Sequence, residues 1–226
     1  MDIHLQYTEK GHGETLVLLH GNNDSSSYFE KQINELSEYY RVIAVDTRGH
    51  GRSPRGTAPF TLRQFVEDLE FFMEDHSIDR THLLGFSDGG NIALMFTLKY
   101  PHKVKKLILN GANLTPSGVK PLYQSAIEAE YFLLDRIFGK SEKLTKRREM
   151  LSLMVNEPNI NAGQLAKINT PTLVIVGTDD MIKVSETAAI HNGIKGSELK
   201  LLKGSHFVSR EHPEEFNAAV LDFLGR

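Results

Sequence analysis

The chain has 226 residues, and 26 Lys and Arg residues against 29 Asp and Glu residues give it a net charge of −3. This balance argues against a nucleic-acid-binding protein, which needs a basic excess to neutralise phosphates. The absence of cysteine excludes disulfide bonds, thiolate metal sites and a cysteine nucleophile, and a hydrophobic share of 40% suffices for one sizeable core.

Short apolar segments of strand length alternate with longer segments of helical periodicity. This alternation predicts an α/β protein with an open, mostly parallel sheet and helices on both faces. Thr61 and Gln64 have the spacing of a capping box at a helix start, and Pro213 suits the first position of the last helix. The predicted strands cover residues 3–8, 15–19, 42–45, 82–85, 106–109, 172–176 and 199–202, and the predicted helices cover residues 28–39, 61–76, 88–100, 184–193 and 213–224.

Residues 115–166 interrupt the alternation because they contain no strand pattern. Helical periodicity covers residues 119–138 and 143–155, and Gly139 separates the two segments. An insertion of this size between two core strands indicates a small helical cap. We therefore expect one structural domain, with a core of residues 1–114 and 167–226 and a cap of residues 115–166 that follows the strand ending near Asn110.

Nothing in the sequence suggests export or membrane insertion. The N-terminal residues lack the basic and then apolar pattern of a signal peptide. No apolar run approaches the ~20 residues that a membrane-spanning helix needs. We expect a cytoplasmic protein with no membrane partner.

The segment Gly85-Phe86-Ser87-Asp88-Gly89-Gly90 lies between a predicted strand and a predicted helix. A G-x-S-x-G pattern in that position is typical of a nucleophile elbow, in which the serine hydroxyl projects from a sharp turn. The helix N-terminus beneath the serine favours developing negative charge. Ser87 is therefore the candidate nucleophile.

A serine nucleophile needs a base, and the base needs an acid that orients it. His206 follows the last predicted strand, and Asp179 and Asp180 follow the strand before it. The carboxyl ends of parallel strands meet at one edge of the sheet, so these side chains and Ser87 are expected to converge there. No histidine pair has the spacing of a metal site, so we expect neither a metal nor a cofactor.

These motifs together resemble the α/β-hydrolase superfamily over essentially the whole chain. The resemblance also includes His20-Gly21-Asn22 and the segment from Asp46 to Ser53. It implies a triad of Ser87, Asp180 and His206, with Asp179 as the alternative acid. Within the superfamily, the elbow sequence and the short cap look most like the biphenyl-hydrolase-like serine hydrolases, the group that includes valacyclovir hydrolase.

An acyl-transfer site also needs two N–H donors for the oxyanion. The expected donors are the backbone N–H groups of Asp88 and Asn22, with Asn23 as the second choice for the latter. His20 is expected to orient this loop. The segment from Asp46 to Ser53 is expected to be structural, with Arg48 able to pair with Asp46.

The substrate pocket is expected to draw on the cap and on the loops around the elbow. The candidate substrate-binding residues are Asn23, Asp88, Tyr131, Phe132, Leu153 and Phe207. In the group resembled, the residue matching Asp88 binds a substrate amino group; the alternative is that Asp88 only favours the helix start. The basic cluster Lys140, Lys143, Lys146, Arg147 and Arg148 is expected to be a solvated helix face.

The sequence thus predicts a serine hydrolase that cleaves small carboxylic esters through an acyl-enzyme, and the resemblance implies a preference for aminoacyl esters. The alternatives are a lactone hydrolase, a carbon–carbon bond hydrolase, an acyltransferase or a slow-turnover ligand receptor. The Asn22 position also resembles haloalkane dehalogenases, but those use an aspartate nucleophile followed by tryptophan, and this chain has no tryptophan. The expected partner is a small-molecule ester, and the expected assembly is a monomer or a homodimer.

Overall fold

A computed structural model describes residues 2–136 and 141–226 of the chain. Seven strands form one sheet in the order β1-β3-β2-β4-β5-β6-β7, in which β1 is antiparallel to β3 and all other pairs are parallel. The strands are β1 (Tyr7–Lys10), β2 (Thr15–Leu19), β3 (Arg41–Val45), β4 (Thr81–Phe86), β5 (Val104–Asn110), β6 (Thr172–Gly177) and β7 (Glu198–Leu202). The helices are α1 (Glu30–Leu36), α2 (Leu62–Asp75), α3 (Asp88–Lys99), α4 (Pro121–Arg136), α5 (Glu142–Asn156), α6 (Val184–Gly193), α7 (Val208–Glu211) and α8 (Pro213–Leu224).

Helices cover both faces of the sheet, which explains why the central strands are continuously apolar. One face packs against α2, α3 and α6 through residues such as Phe72, Phe96 and Ile190. The other face packs against α1 and α8 through residues such as Leu36 and Phe216. The predicted fold class is confirmed.

The strand register brings the functional loops to one edge of the sheet. Leu19 at the end of β2 pairs with Gly85 in β4. Phe86 at the end of β4 pairs with Asn110 at the end of β5, and Gly177 in β6 pairs with Leu202 in β7. The loops that follow these five strands therefore lie side by side.

The first strand begins later than the sequence pattern predicts. Residues 3–8 were expected to form it, but pairing with β3 starts at Tyr7, which lies opposite Val45. Ile3 and Leu5 are nevertheless buried in the core. The alternation of buried and exposed residues in this segment reflects burial of one side of an extended chain. Such burial does not require hydrogen bonds to a neighbouring strand.

Local signals set the helix starts. The Thr61 hydroxyl accepts a hydrogen bond from the Gln64 backbone N–H at 3.1 Å, which caps α2. The Gln64 side chain bonds Asp68 instead of completing the capping box. Pro213 is the first residue of α8, as predicted. None of the helices in residues 2–136 and 141–226 combines the length and the hydrophobicity of a membrane span.

Arg48 anchors the loop after β3 from within the core. Its fully buried guanidinium makes two 2.7 Å hydrogen bonds to Asp68 and a third to Asp2. The expected pairing of Arg48 with Asp46 is wrong. Asp46 instead accepts hydrogen bonds from Arg52 and from the Ser26 backbone, because the turn at Gly51 folds back against its carboxylate.

The α4–α5 segment lies between β5 and β6 and its two helices differ in how they are held. α5 is anchored in the core, where Leu153 is 1% exposed. α4 buries only Gln124 among its described residues. Two ion pairs join it to α5: Glu130 with Arg147 at 2.7 Å and Asp135 with Arg148 at 2.6 Å. The predicted break at Gly139, with Phe138 and Lys140, lies outside the described residues.

Candidate active site

Ser87 occupies the turn between β4 and α3 with φ 54° and ψ −121°. A positive φ is unfavourable for a residue with a side chain, so the surroundings must hold it. The Ser87 N–H donates to the Asn110 carbonyl at 2.8 Å, and its own carbonyl accepts from the Asn91 N–H at 3.0 Å. A β-carbon at Gly85 would collide with the Gly89 carbonyl, which explains the small residues around the turn.

Three side chains from three loops form a continuous hydrogen-bonded chain at this edge of the sheet. The Ser87 Oγ lies 3.0 Å from His206 Nε2. The His206 Nδ1 lies 2.7 Å from Asp180 Oδ1. Asp179, the alternative acid, is exposed and bonds the Thr178 hydroxyl instead. The structure thus brings together Ser87, His206 and Asp180.

Burial and a second donor fix the orientation of Asp180. Its side chain is 2% exposed, and Oδ1 also accepts the Ile182 backbone N–H at 2.8 Å. An ionised carboxylate only accepts hydrogen bonds, so His206 Nδ1 is the donor to it. The neutral imidazole then presents an unprotonated Nε2 to the Ser87 hydroxyl, which is the arrangement that a general base requires.

The loop after β2 passes directly over the elbow. A β-carbon on Gly21 would lie 3.1 Å from the Ser87 β-carbon. Neither the Asn22 nor the Asp88 backbone N–H donates a hydrogen bond within the described part of the chain. The N–H groups of Asp88, which follows Ser87, and of Asn22, which follows Gly21, therefore have no acceptor among the described residues.

His20 supports this loop from beneath. Its Nδ1 lies 2.7 Å from the Gly21 carbonyl, and its Nε2 accepts the Thr47 backbone N–H at 3.1 Å. Burial lowers the pKa of His20, so the ring is neutral and Nδ1 is the donor to Gly21. The ring thereby fixes the direction of the peptide that carries the Asn22 N–H.

The side chains of Asn22 and Asp88 bond each other. The Asn22 Nδ2 donates to Asp88 Oδ2 at 2.9 Å and to the carbonyl of Met150 in α5, also at 2.9 Å. Burial raises the pKa of Asp88, and the bond from Asn22 opposes that shift. Asp88 is not among the residues that line the cleft above Ser87.

A cleft of about 570 Å³ opens above Ser87 and His206, between the sheet edge and the α4–α5 segment. This volume suits a small molecule. The core contributes residues from the loops after β2, β4, β6 and β7, and the wall is mainly apolar. The α4–α5 residues that line it are Leu122, Tyr123, Ala126, Ile127, Glu130, Arg147, Leu151 and Met154.

Comparison with known proteins shows the family of this chain. A family model described as the alpha/beta hydrolase fold matches residues 14–148. A 2-hydroxy-6-oxononadienedioate/2-hydroxy-6-oxononatrienedioate hydrolase of Escherichia coli K12 is 30% identical, over 99% of this chain and 92% of the relative. The chain belongs to the α/β-hydrolase family. The superfamily prediction is confirmed, and the finer resemblance to the biphenyl-hydrolase-like group stays a prediction.

Solved structures of the family superpose over nearly the whole chain. A hydrolase from Pseudomonas aeruginosa PA01 has a TM-score of 0.79 at 27% identity and covers 98% of this chain and 94% of its own. An enol-lactonase from Burkholderia xenovorans LB400 has a TM-score of 0.81 at 22% identity, with 99% and 97% covered. The second likeness shows the fold alone.

Besides Asp88, three predicted pocket residues of this α/β-hydrolase do not line the cleft. Leu153 is buried in the main core, Phe132 is 54% exposed, and Tyr131 packs against Phe132 and beneath Arg148. Helical spacing identifies an apolar face but does not show which neighbour that face meets, which is why the sequence pattern alone placed these residues in the pocket. Asn23 and Phe207 do line the cleft.

Sequence reasoning missed the charged pair in the cleft wall. The Arg147 guanidinium donates two hydrogen bonds of 2.7 Å to the Glu130 carboxylate. The bond from Arg147 lowers the pKa of Glu130, so both groups are charged near neutral pH. Arg147 was expected on a solvated helix face. The i, i+4, i+7 series of Arg147, Leu151 and Met154 was the available signal for a common face.

Proposed function

We propose that this α/β-hydrolase cleaves small carboxylic esters through an acyl-enzyme on Ser87. The observation that carries the proposal is the 3.0 Å contact between Ser87 Oγ and His206 Nε2, continued by the 2.7 Å bond to Asp180. This arrangement activates a hydroxyl for attack on a carbonyl carbon. It needs no further group to supply the nucleophile or the base.

Acylation begins when His206 Nε2 takes the hydroxyl proton as Ser87 Oγ attacks the ester carbonyl. Asp180 stabilises the imidazolium that forms. The carbonyl oxygen becomes an oxyanion, which accepts hydrogen bonds from the backbone N–H groups of Asn22 and Asp88. Collapse of this intermediate expels the alkoxide, which takes the proton from Nε2 and leaves as an alcohol.

Deacylation repeats these roles with water as the nucleophile. His206 Nε2 takes a proton from the water molecule, which attacks the acyl carbonyl while the same two N–H groups bind the oxyanion. Collapse returns the proton to Ser87 Oγ and releases the carboxylic acid. A lactone follows the same path, since it is a cyclic ester whose alcohol remains attached to the acyl group.

The cleft favours a small, uncharged substrate, and we propose that the α4–α5 segment serves as its cap. Leu122, Ile127 and Met154 offer apolar surface for an acyl or alcohol group. The charges of Glu130 and Arg147 compensate each other at the wall. We do not propose an aminoacyl preference, because the Asp88 carboxylate is engaged by Asn22 and does not line the cleft.

Hydrolysis of a carbon–carbon bond is the second candidate, because the Escherichia coli relative at 30% identity is named for a 2-hydroxy-6-oxo dienedioate. Both reactions can use Ser87 and His206. They differ in the leaving group, which is an alkoxide for an ester and a carbon atom for the second reaction. The carbon leaving group must also be protonated at carbon.

The test compares purified wild type with Ser87→Ala on p-nitrophenyl esters, a five- or six-membered lactone and a 2-hydroxy-6-oxo dienoate. We expect the highest kcat/KM on an ester or lactone and at least a thousandfold loss of kcat in the variant. A higher kcat/KM on the dienoate would favour the second candidate. Activity that survives in a folded Ser87→Ala protein would reject both candidate functions. Wild-type turnover too slow to measure on all of these substrates would also reject both.

A further inference from the structure

Asn22 and Asp88, whose backbone N–H groups form the proposed oxyanion site, also share a hydrogen bond between their side chains. We propose that Asp88 is a positioning residue, whose carboxylate holds the Asn22 loop at the distance from the elbow that the oxyanion requires. This inference rests on the proposed function. It gives a role to a buried carboxylate that the reaction steps do not use.

The hydrogen bonds of Asn22 support this role. A primary amide has two N–H groups, and both are used here. One donates to Asp88 Oδ2 at the start of α3, and the other donates to the Met150 carbonyl in α5, each at 2.9 Å. The Asn22 side chain thus joins the loop after β2 to both the elbow and α5. The position of the Asn22 backbone N–H depends on both bonds.

The surroundings of Asp88 favour a fixed acceptor over a substrate ligand. The residue is 9% exposed, and it does not line the cleft. A buried carboxylate without a donor is costly, so the bond from Asn22 stabilises Asp88 as well as the loop. Oxyanion donors act only within a narrow range of positions, and a shift of about 1 Å lowers the rate steeply.

A positioning role and a substrate-binding role predict opposite behaviour for Asp88→Asn. The side-chain oxygen of the substituted amide still accepts a hydrogen bond from Asn22, so a positioning role survives most of this change. A carboxylate that binds a substrate ammonium loses its charge and its function in the same variant. Asp88→Ala removes the acceptor in both cases. The comparison of these two variants therefore separates the roles.

The experiment measures Tm, together with kcat and KM on one neutral p-nitrophenyl ester and on the p-nitrophenyl ester of an amino acid. We expect Asp88→Ala and Asn22→Ala each to lose about tenfold or more in kcat with little change in KM. Asp88→Asn is expected to keep about a third of kcat. The double variant Asn22→Ala with Asp88→Ala is expected to lose little more than the worse single variant, because both remove the same bond.

Glu157→Ala is the matched control, because it removes another carboxylate near Asp88, one that is half-buried. Glu157 accepts the Leu62 backbone N–H and makes no bond to Asn22 among the described residues. We expect its kcat to stay within twofold of wild type. Equal losses in Asp88→Ala and Asp88→Asn would overturn the proposal, as would additive losses in the double variant. A lower Tm with unchanged kcat would also overturn it.

The proposed function and this inference fail in different ways. If Ser87→Ala keeps its activity, the acyl-enzyme proposal is wrong, whatever the Asp88 variants show. If Ser87→Ala is inactive while Asp88→Ala retains full kcat, the acyl-enzyme proposal stands and the positioning role is wrong.

Discussion

Gly111 packs against the imidazole of His206. A β-carbon built on Gly111 would lie 2.7 Å from His206 Cε1 and 3.3 Å from Asp180 Oδ2. Gly111 follows β5 directly and has φ +64°, and its lack of a side chain leaves room for the histidine ring. The ring therefore keeps its distance from Ser87 partly because this position has no side chain.

Gly111→Ala should displace His206 and reduce kcat on an ester by about a hundredfold, because the added methyl group occupies the place of the ring. Gly196→Ala is the matched control, since Gly196 has a similar φ of +75° with no atom within 4 Å of the added carbon. Both variants carry backbone strain. Steady-state kinetics that show equal kcat for the two would contradict the packing argument.

Asp180→Asn should reduce kcat far more than Asp179→Asn. The neutral amide that replaces the Asp180 carboxylate would no longer stabilise the imidazolium of His206 or fix the tautomer of its neutral ring. The corresponding change in a serine protease costs ~10⁴ in kcat. Asp179 is exposed, and its side chain bonds only Thr178 among the described residues. Similar kcat values for the two variants, measured on the same ester, would show that Asp180 is not the orienting acid.

Glu130→Gln should make the cleft favour an anionic substrate, because it leaves the Arg147 charge uncompensated. We expect kcat/KM for mono-p-nitrophenyl glutarate to rise about threefold relative to p-nitrophenyl pentanoate. Asp135→Asn is the control, since it frees Arg148, which does not line the cleft. A matching rise in that control would point to a general charge effect.

Two neighbouring residues of α5 should separate selectivity from stability. Met154 lines the cleft, so Met154→Ala should raise the relative kcat/KM for longer acyl chains. Leu153 is buried in the core, so Leu153→Ala should cost about 2–5 kcal/mol of unfolding free energy. Urea unfolding and an ester series from acetate to octanoate measure both effects. The assignment fails if the chain-length profile changes in Leu153→Ala instead.

Acid should destabilise the fold through His50, whose pKa burial lowers to about 3. The unfolded chain binds this proton near pH ~6.5, so stability is full above that pH and falls as the pH drops towards 3. His50→Asn keeps a donor to the Arg48 carbonyl but does not titrate. Its unfolding free energy, from urea curves between pH 5 and pH 7, should fall less steeply than wild type, by up to about 1.4 kcal/mol per pH unit. Identical slopes would remove His50 as a cause.

The sequence predicted the sheet and the convergence of Ser87, His206 and an aspartate after β6 because those features depend on local chemistry, whereas the choice of Asp180 over Asp179 came from the family resemblance. Apolar runs mark buried strands, and polar residues directly after parallel strands must meet at one edge. The cleft wall was not predictable in the same way. Leu153 and Met154 are adjacent in one helix, yet only the packing of α5 on the core decides which one faces the cleft.

The attachment of α4 has a consequence for how specificity can diversify. This helix supplies five residues of the cleft wall but buries only Gln124 among its described residues, and ion pairs join it to α5. Substitutions on its cleft face therefore remove little buried surface, and the folding free energy resides mainly in the sheet and its covering helices. Under the proposed function, substitutions in α4 can therefore change which substrates the cleft accepts, while Ser87, His206 and Asp180 keep their positions.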